Sequence, residues 1–318
     1  MEYVGLDVSK DDFYADFGAG RPVRFANDPA GVAGLAARMA TAGFAPGGTT
    51  VGMEATGVYH LLVARLLAEG GWRTAVINPL QASRFGRLTL RRVKTDRADA
   101  AVVRAAAAAG LGSPADGVDA MRLKALVQER ASLAGLRARC RQLGHVRDVR
   151  TSAAGGAPAS PGFGAVEAAI AAQIAEVDAR MGAVSPDVQA LLRSIPGVGP
   201  VCAAALAAKV GDVRRFPDPG RLVAYVGLDC RVHESGTSVR GKGYINKRGD
   251  RALRHLLFLA ANVSRRYVPE LGAYYAKKRG EGKHHFVALC ATERKLVHLI
   301  WAVWTRGTPY VKKAASVP

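Results

Sequence analysis

The stretch YVGLDV, residues 3–8, decides how the first part of this chain folds. It is short and largely aliphatic, and Asp7 is placed near its end, a pattern typical of a buried strand. Two more strand patterns follow at residues 12–17 and 22–26. Three strands in direct succession predict an antiparallel meander.

Beyond the meander, helical and strand patterns alternate, which favours a mixed sheet with α/β crossovers. An alanine-rich run without a breaker closes this series and predicts a helix that stops near Gly110. The predicted segments are residues 28–42 (helix), 50–54 (strand), 58–69 (helix), 73–78 (strand, ending at Asn78-Pro79) and 95–109 (helix).

Four acidic residues stand at the ends of these predicted elements. Asp7 and Glu54 each lie at the end of a strand, so both side chains can reach one crevice of the sheet. Asp96 and Asp99 are three residues apart, so a helix that begins near Asp96 presents both on one face. Phosphoryl transfer uses two divalent ions about 4 Å apart, and hard cations prefer carboxylate oxygens. The set therefore predicts an Mg²⁺ site.

Each carboxylate also has an ordinary structural explanation. Asp96 can cap its helix with Asp99 in the first turn, where negative charge favours the helix dipole. Asp7 and Glu54 can be plain strand-end residues. In a chain this basic, however, four gathered carboxylates are unfavourable unless a cation neutralises them, so the set as a whole favours metal binding.

A pair of long helices is predicted in the middle of the chain. Residues 119–150 and 166–182 have helical spacing, and a loop rich in glycine, proline, serine and alanine spans residues 153–164. The pair predicts an antiparallel hairpin with a basic face. It serves either as a solvated structural arm or as a contact for nucleic acid or a second copy of the chain.

The charge of the chain indicates a polyanionic partner. The 318 residues carry 45 Lys and Arg against 26 Asp and Glu, a formal net charge of +19. Residues 191–318 hold 23 basic and 8 acidic residues, and residues 1–190 hold 22 and 18. A nucleic acid is favoured over a small acidic substrate, and most of its contacts are expected in the C-terminal part.

The expected compartment is the cytoplasm, near the nucleoid of a prokaryotic cell. No secretory leader precedes the first strand, and no apolar run of about 18 residues spans a bilayer. Four cysteines, Cys140, Cys202, Cys230 and Cys290, are too scattered for a CxxC zinc pattern and fit a reducing compartment.

The segment IPGVGP, residues 195–200, precedes a smooth alanine-rich helix at residues 201–210. A glycine-containing turn at a helix N-terminus exposes N–H groups toward a phosphate, as helix-hairpin-helix contacts with DNA do. Gly197 and Gly199 are therefore candidate phosphate contacts, and a tight turn between helices is the alternative.

A candidate nucleophile lies in the segment that follows. Ser235 stands between Glu234 and Gly236 in a predicted flexible loop before a cluster of glycines and basic residues. The residues alone do not choose between Ser235 and Ser238, and a plain surface loop also explains them. Candidate phosphate contacts, which are otherwise a solvated helix start, are Arg240, Lys242, Lys247, Arg248, Arg251 and Arg254.

Five motifs in order, GLDVSK, MEATGVYH, VKTDRADA, IPGVG and ESG…GKGYINKRGDRALRHLL, resemble the insertion-sequence one-ten family of transposases and the related Piv-type DNA invertases. The resemblance implies three domains. These are an RNase H-like, RuvC-type α/β domain with a DEDD set (1–112), a coiled-coil helical hairpin (113–188), and a mainly helical serine transposase domain with a helix-hairpin-helix-like turn (189–318).

The resemblance also implies roles for individual residues. Asp7, Glu54, Asp96 and Asp99 fall on the DEDD positions that hold Mg²⁺, and Ser235 falls on the nucleophilic serine. Two positions depart from the family pattern: Glu234 replaces a common glutamine, and Asn246 replaces a frequent serine.

By resemblance, the chain is a transposase and recombinase that exchanges DNA strands through a serine–DNA covalent intermediate. Its implied partners are donor and target DNA, a noncoding bridge RNA that guides it, and copies of itself as a dimer that pairs into a tetramer, with no membrane involved. Two alternatives stay open. One is a RuvC-like, structure-selective nuclease that uses water, and the other is a noncatalytic nucleic-acid-binding regulator.

Overall fold

A computed structural model describes residues 1–55, 57–88, 96–156, 162–231, 234–235, 239–240, 244–245 and 249–312. For residues 96–98, 162 and the described part of 230–248, the description covers the backbone only. The chain forms two compact units, Met1–Val118 and Asp119–Pro318. The expected division into three domains is finer than this and remains a prediction.

The N-terminal unit is built on a five-stranded sheet. Its strands are β1 (Glu2–Val8), β2 (Asp12–Asp16), β3 (Val23–Ala26), β4 (Thr49–Glu54) and β5 (Arg73–Ile77). The order across the sheet is β3-β2-β1-β4-β5. The first three strands form an antiparallel meander, and β4 runs parallel to both β1 and β5. The predicted mixed α/β class is confirmed.

In the described part of this unit, the sheet is accompanied by the helices α1 (Pro29–Thr41), α2 (His60–Glu69), α3 (Pro79–Leu88) and α4 (Asp96–Ala108). Helix α3 was not predicted from the sequence, in which the strand over residues 73–78 ends at Asn78-Pro79. The side-chain oxygen of Asn78 accepts the N–H of Leu80 at 2.9 Å. Because Pro79 also has the φ that a first helical residue needs, a pair that resembles a turn in the sequence starts a helix.

The two faces of the sheet carry different side chains. On one face Val4, Leu6 and Met53 are fully buried. On the other face the alternating positions are Gly5 and Gly52, and α4 packs there against bare backbone. The glycines thus let a helix come closer to the sheet than a face with side chains allows.

The C-terminal unit is mainly helical. It contains α5 (Val118–Ala153), α6 (Gly162–Ala183), α7 (Pro186–Arg193), α8 (Pro200–Val210), α9 (Pro219–Tyr225), α10 (Arg251–Tyr267), α11 (Pro269–Gly280) and α12 (His285–Arg306). A short 3₁₀ turn covers Val213–Arg215. The core gathers buried side chains from α7 to α12, and α8 is buried on nearly all sides.

Helices α5 and α6 run antiparallel, and ion pairs join them at two levels. Arg130 Nε lies 2.6 Å from the Asp178 carboxylate. Farther along, the Nε atoms of Arg141 and Arg137 lie 2.5 and 3.2 Å, respectively, from Glu167 Oε1. Their guanidinium groups, that of Arg141 first, hold the pKa of Glu167 below its ordinary value. These pairs fix the register of the hairpin.

Two pairs of very short strands lie between α9 and α10. Strand β6 (Cys230–Arg231) pairs with β9 (Tyr244–Ile245), and β7 (Glu234–Ser235) pairs with β8 (Val239–Arg240), both antiparallel. The β7–β8 pair thus lies between β6 and β9 in the sequence, so the paired residues form one ladder nested within the other. Among the residues that the structure describes, none of the helices combines the length and apolar character needed to cross a bilayer.

Candidate active site

Asp7 and Glu54 are brought together by the register of β1 and β4. The two strands are parallel, and Gly5 pairs with Gly52 and Leu6 with Met53. Asp7 and Glu54 are the next residues on each strand, and neighbouring strands lie about 4.8 Å apart. Because side chains alternate along a strand, both carboxylates lie on the face of Gly5 and Gly52. Both residues are half-buried.

Helix α4, which begins at Asp96, packs on this same face of the sheet. A Cβ atom added at Gly5 would collide with the Ala100 carbonyl oxygen and the Arg104 nitrogen, and one at Gly52 would lie 2.8 Å from Ala107 Cβ. Asp99, which is half-buried, directly precedes Ala100. The part of α4 from Ala100 to Arg104 therefore lies beside Gly5, which is two residues before Asp7. The side chain of Asp96 is outside the described residues.

The chemistry of these residues fits a hard divalent cation, because carboxylate oxygens are the ligands that Mg²⁺ prefers. Within the described side chains, no group of three or more His, Cys, Asp or Glu residues is close enough together to hold a metal ion. Asp96 is not among those side chains. The structure thus brings Asp7 and Glu54 to adjacent strand ends and Asp99 to the same face, and the complete four-residue set remains a prediction.

Asp12, another acidic residue near Asp7 in the sequence, is engaged elsewhere. Its carboxylate accepts a hydrogen bond from Ser9 Oγ at 2.6 Å and forms an ion pair with Arg24. The Ser9 hydroxyl, ahead of Arg24, keeps the pKa of Asp12 below its ordinary value although burial opposes this.

Two positioning residues were missed by the sequence reasoning. Asn27 Nδ2 donates to the Ser9 carbonyl at 2.8 Å and to the Tyr59 carbonyl at 3.1 Å, so it ties the loop after Asp7 to the loop after Glu54. The second is Asp16, which accepts from Arg104 Nε at 2.7 Å and thereby anchors α4 to β2. No local pattern reveals either contact, because Asp16 and Arg104 are 88 residues apart.

Ser235 lies in paired backbone. It is opposite Val239 in the β7–β8 ladder, whereas the sequence predicts a flexible loop at this point. That expectation is wrong for residues 234–235, and the reason is that backbone pairing with residues 239–240 decides the conformation here. The side chains of Ser235 and Arg240 lie outside the described residues, as do Gly236, Ser238, Lys242, Lys247 and Arg248 entirely.

The start of α10 carries the last two candidate phosphate contacts. Arg251 is exposed, so its guanidinium faces solvent. Arg254 is half-buried, and its Nη1 donates to the Gly249 carbonyl at 2.5 Å and to the Val226 carbonyl at 3.5 Å. Arg254 therefore holds the helix start against the end of α9, and its phosphate contact remains a prediction.

Asp250 caps this helix. Its carboxylate accepts the Leu253 N–H at 2.9 Å and pairs with Lys209 Nζ at 2.9 Å. Burial opposes ionisation of Asp250, but the Leu253 N–H and Lys209 outweigh burial and leave its pKa below the ordinary value. The motif that contains Gly249, Asp250 and Arg254 thus has a clear structural role.

The turn before α8 gives its two glycines different roles. Gly197 has a φ of +99°, and an added Cβ would lie 2.7 Å from the Ala260 carbonyl oxygen of α10. Gly199 is the exposed N-cap of α8, with nothing within 4 Å of an added Cβ. Gly197 therefore serves the close contact with α10, and Gly199 leaves the helix N-terminus open. Whether either contacts phosphate remains a prediction.

Two family matches cover most of the chain. Residues 4–146 match the IS110-type DEDD domain described as a transposase, and residues 189–276 match the transposase IS116/IS110/IS902 family. The first range contains Asp7, Glu54, Asp96 and Asp99, and the second contains Ser235.

Similar proteins come from several bacteria. The 43.6 kDa protein of insertion element IS110 from Streptomyces coelicolor is 36% identical over 120 residues, 38% of this chain and 29% of that protein. The transposase of insertion sequence element IS1328 from Yersinia enterocolitica is 35% identical over 128 residues, which are 38% of this chain and 37% of that protein. The pilin gene-inverting protein of Moraxella bovis is 32% identical over 124 residues, which are 39% of this chain and 38% of that protein. The alignments thus span about a third of these relatives' length. With both matches in order, residues 4–146 and 189–276 carry the domains of the IS110/IS116 family of transposases.

Proposed function

We propose that this chain is a metal-dependent DNA recombinase that exchanges strands through a covalent serine–DNA intermediate. The observation that carries the proposal is the placement of Asp7 and Glu54 at adjacent ends of parallel strands, with α4 packed on the same face. An RNase H-like N-terminal unit of the RuvC type accounts for this arrangement. Relatives named as a transposase and as a pilin gene-inverting protein support DNA rearrangement as the outcome.

In the proposed reaction Ser235 Oγ attacks the scissile phosphorus in line. The serine hydroxyl gives up its proton as the bond between phosphorus and Oγ forms, a bridging P–O bond breaks, and the departing sugar oxygen takes up a proton to become a hydroxyl. A hydroxyl from another strand then attacks the same phosphorus and releases the serine. Because each bond broken is replaced by one formed, no nucleotide cofactor is needed.

Asp7, Glu54, Asp96 and Asp99 are the residues that would hold Mg²⁺. When bound, the ion stabilises the negative charge that develops on the phosphoryl oxygens. The DNA backbone is positioned by basic residues and by the turn before α8, in which Gly199 leaves the helix N-terminus open and Gly197 packs against α10. The basic residues are Arg240, Lys242, Lys247, Arg248 and Arg251, and Arg254 supports them from the start of α10.

The proposed partners are donor and target DNA, a noncoding bridge RNA, and further copies of the chain. The 23 basic and 8 acidic residues after position 190 support nucleic-acid binding, but phosphate contacts are the same for DNA and RNA. The carboxylates and Ser235 belong to different units, so a dimer that pairs into a tetramer offers a way to assemble the site between copies. The reaction takes place on DNA in the bacterial cytoplasm.

The decisive experiment traps the protein–DNA adduct. Purified chain is incubated with donor and target duplexes and Mg²⁺, then resolved under denaturing conditions. We expect an adduct with the unmodified chain and with Ser238→Ala, and none with Ser235→Ala or Asp7→Asn. Strand cleavage that survives Ser235→Ala would favour the nuclease alternative, and no cleavage by any form would favour the regulator. Repeating the reaction after RNase treatment tests the requirement for RNA.

A further inference from the structure

A small basic cavity lies between α11 and α12, away from the motifs discussed above. Its volume is about 220 Å³, and its lining consists of Tyr274, Ala291, Arg294, Lys295 and His298. Three of these five side chains are basic and none is acidic. Pockets that enclose whole drug-sized ligands measure about 300–1,000 Å³, so this one suits a single small group.

The basic residues converge because of helical spacing. Arg294 and His298 are four residues apart on α12, with Lys295 beside them, so all three belong to one side of the helix. Burial first, then Lys295 and Arg294, lowers the pKa of His298, and Asp218 at the start of α9 acts in the opposite sense. The three side chains give this side of the cavity a basic character.

Tyr274 of α11 holds Lys295 in place. Lys295 Nζ lies 5.4 Å from the centre of the Tyr274 ring, a distance typical of a cation–π contact. Lys278 lies 5.6 Å from the same ring, but Glu281 at 2.8 Å already balances its charge. Within the described residues Lys295 forms no ion pair, so its charge remains available to a ligand.

We propose that this cavity binds a backbone phosphate of a nucleic acid strand. The nucleic-acid partner rests on the proposed function, whereas the phosphate chemistry rests on the three basic side chains. Residues 291–298 lie beyond the matched range 189–276 and beyond the cluster around Arg251. The cavity would extend the proposed nucleic-acid contacts from the start of α10 to α12, and Tyr274 and Lys295 form part of the cavity lining.

The test measures how binding depends on salt. Lys295→Gln and His298→Gln are compared with Lys277→Gln, which removes an exposed charge from α11 outside the cavity. Each lost phosphate contact lowers the slope of log affinity against log salt by about 0.9 for duplex DNA and about 0.7 for a single strand. Affinities for a short duplex DNA and for a single-stranded RNA are measured across salt concentrations, after thermal unfolding shows that each variant is folded.

We expect Lys295→Gln to lose about one phosphate contact in one of the two arms, which identifies the strand type. His298→Gln should lower the affinity in that same arm, while Lys277→Gln keeps the original affinity and slope. Since Lys295 is exposed, its replacement leaves the fold intact. Unchanged slopes in both arms, with the unmodified chain still binding, would overturn this inference and leave the proposed recombinase untouched. If Lys295→Gln lowers the slope of log affinity against log salt but the unmodified chain forms no DNA adduct, the phosphate site is supported and the recombinase proposal is refuted.

A second measurement needs no nucleic acid. Adding inorganic phosphate to the full chain should raise the pKa of His298, followed by NMR of its imidazole, because the anion offsets Lys295 and Arg294. The other groups that face His298, Tyr274 and Asp218, are constant in this comparison. A His298 titration that phosphate does not shift would contradict the proposal.

Discussion

At the scale of single residues, Asp7 and Glu54 owe their proximity to strand register. They are 47 residues apart, the same offset that separates Leu6 from Met53 across β1 and β4. Two neighbouring carboxylates disfavour each other's charge, and a divalent cation between them reverses that effect. In the proposed function, Mg²⁺ is the ligand that this pair would hold.

Asn27 provides a test of how this pair is positioned. Asn27→Ala removes the two hydrogen bonds to the Ser9 and Tyr59 carbonyls and frees the loops after both carboxylates. Residues that orient metal ligands typically contribute about 10- to 100-fold to metal affinity or activity. We expect the Mg²⁺ concentration for half-maximal adduct formation to rise by about that factor. Asn27→Asp keeps the size of the side chain but loses the N–H donor, so it should raise the required Mg²⁺ concentration as Asn27→Ala does. A normal Mg²⁺ dependence in both variants would show that Asn27 does not position the two carboxylates.

Glu293 predicts a pH dependence of stability. The residue is 2% exposed, and burial raises its pKa to about 8 although Arg254 acts in the opposite sense. Glu293 of the folded chain thus keeps a proton that the unfolded chain releases above about pH 4.5. The binding of this proton therefore stabilises the folded chain fully below pH 4.5, and the stabilisation declines as the pH rises to about 8. The slope is about 1.4 kcal/mol per pH unit.

Glu293→Gln removes this titration. We expect the free energy of unfolding, measured by denaturant at several pH values, to decline less between pH 4.5 and about 8 in the variant than in the unmodified chain. Asp187→Asn, which changes an acidic residue with no resolved role in the core, serves as the control. Parallel curves for all three proteins would show that Glu293 is ionised in the folded state.

At the scale of elements, α4 is placed by the absence of side chains. Gly5→Ala would insert a methyl group where the Ala100 carbonyl now lies, so α4 must shift away from β1 and carry Asp99 with it. We expect a loss of adduct formation and a destabilisation of about 1–3 kcal/mol, as for other overpacked sites. Thermal unfolding and the adduct assay measure the two effects.

Gly34→Ala is the matched control in the same unit. Gly34 lies within α1, and an added Cβ would meet only Phe25, at 3.7 Å. Alanine favours a helix interior over glycine by about 0.5–1 kcal/mol, so this variant should be as stable as the unmodified chain or more so. A Gly5→Ala chain with full activity and stability would show that α4 has room to accept a side chain.

At the scale of the whole molecule, the division into two units makes its own prediction. Each unit, Met1–Val118 and Asp119–Pro318, has a buried core, and compact units of this size usually fold independently. Expressed separately, both fragments should unfold cooperatively by circular dichroism, and neither should form the DNA adduct. A fragment without a cooperative transition would show that the two cores depend on one another.

The sequence by itself determined the mixed α/β class and most of the strands and helices of the N-terminal unit, because these follow from local periodicity. It missed α3, where Asn78 and Pro79 begin a helix although the same pair is common in turns. It also predicted a loop at Ser235, where a short antiparallel ladder forms.

Only the tertiary structure decided which residues support the site. The contacts Asn27–Tyr59 and Asp16–Arg104 join positions 32 and 88 residues apart, and Arg254 turns inward to hold carbonyls at the end of α9. The basic cavity at Arg294, Lys295 and His298 likewise exists because α11 packs against α12. The physical reason is that secondary structure depends on neighbours along the chain, whereas these contacts depend on which faces the folded chain brings together.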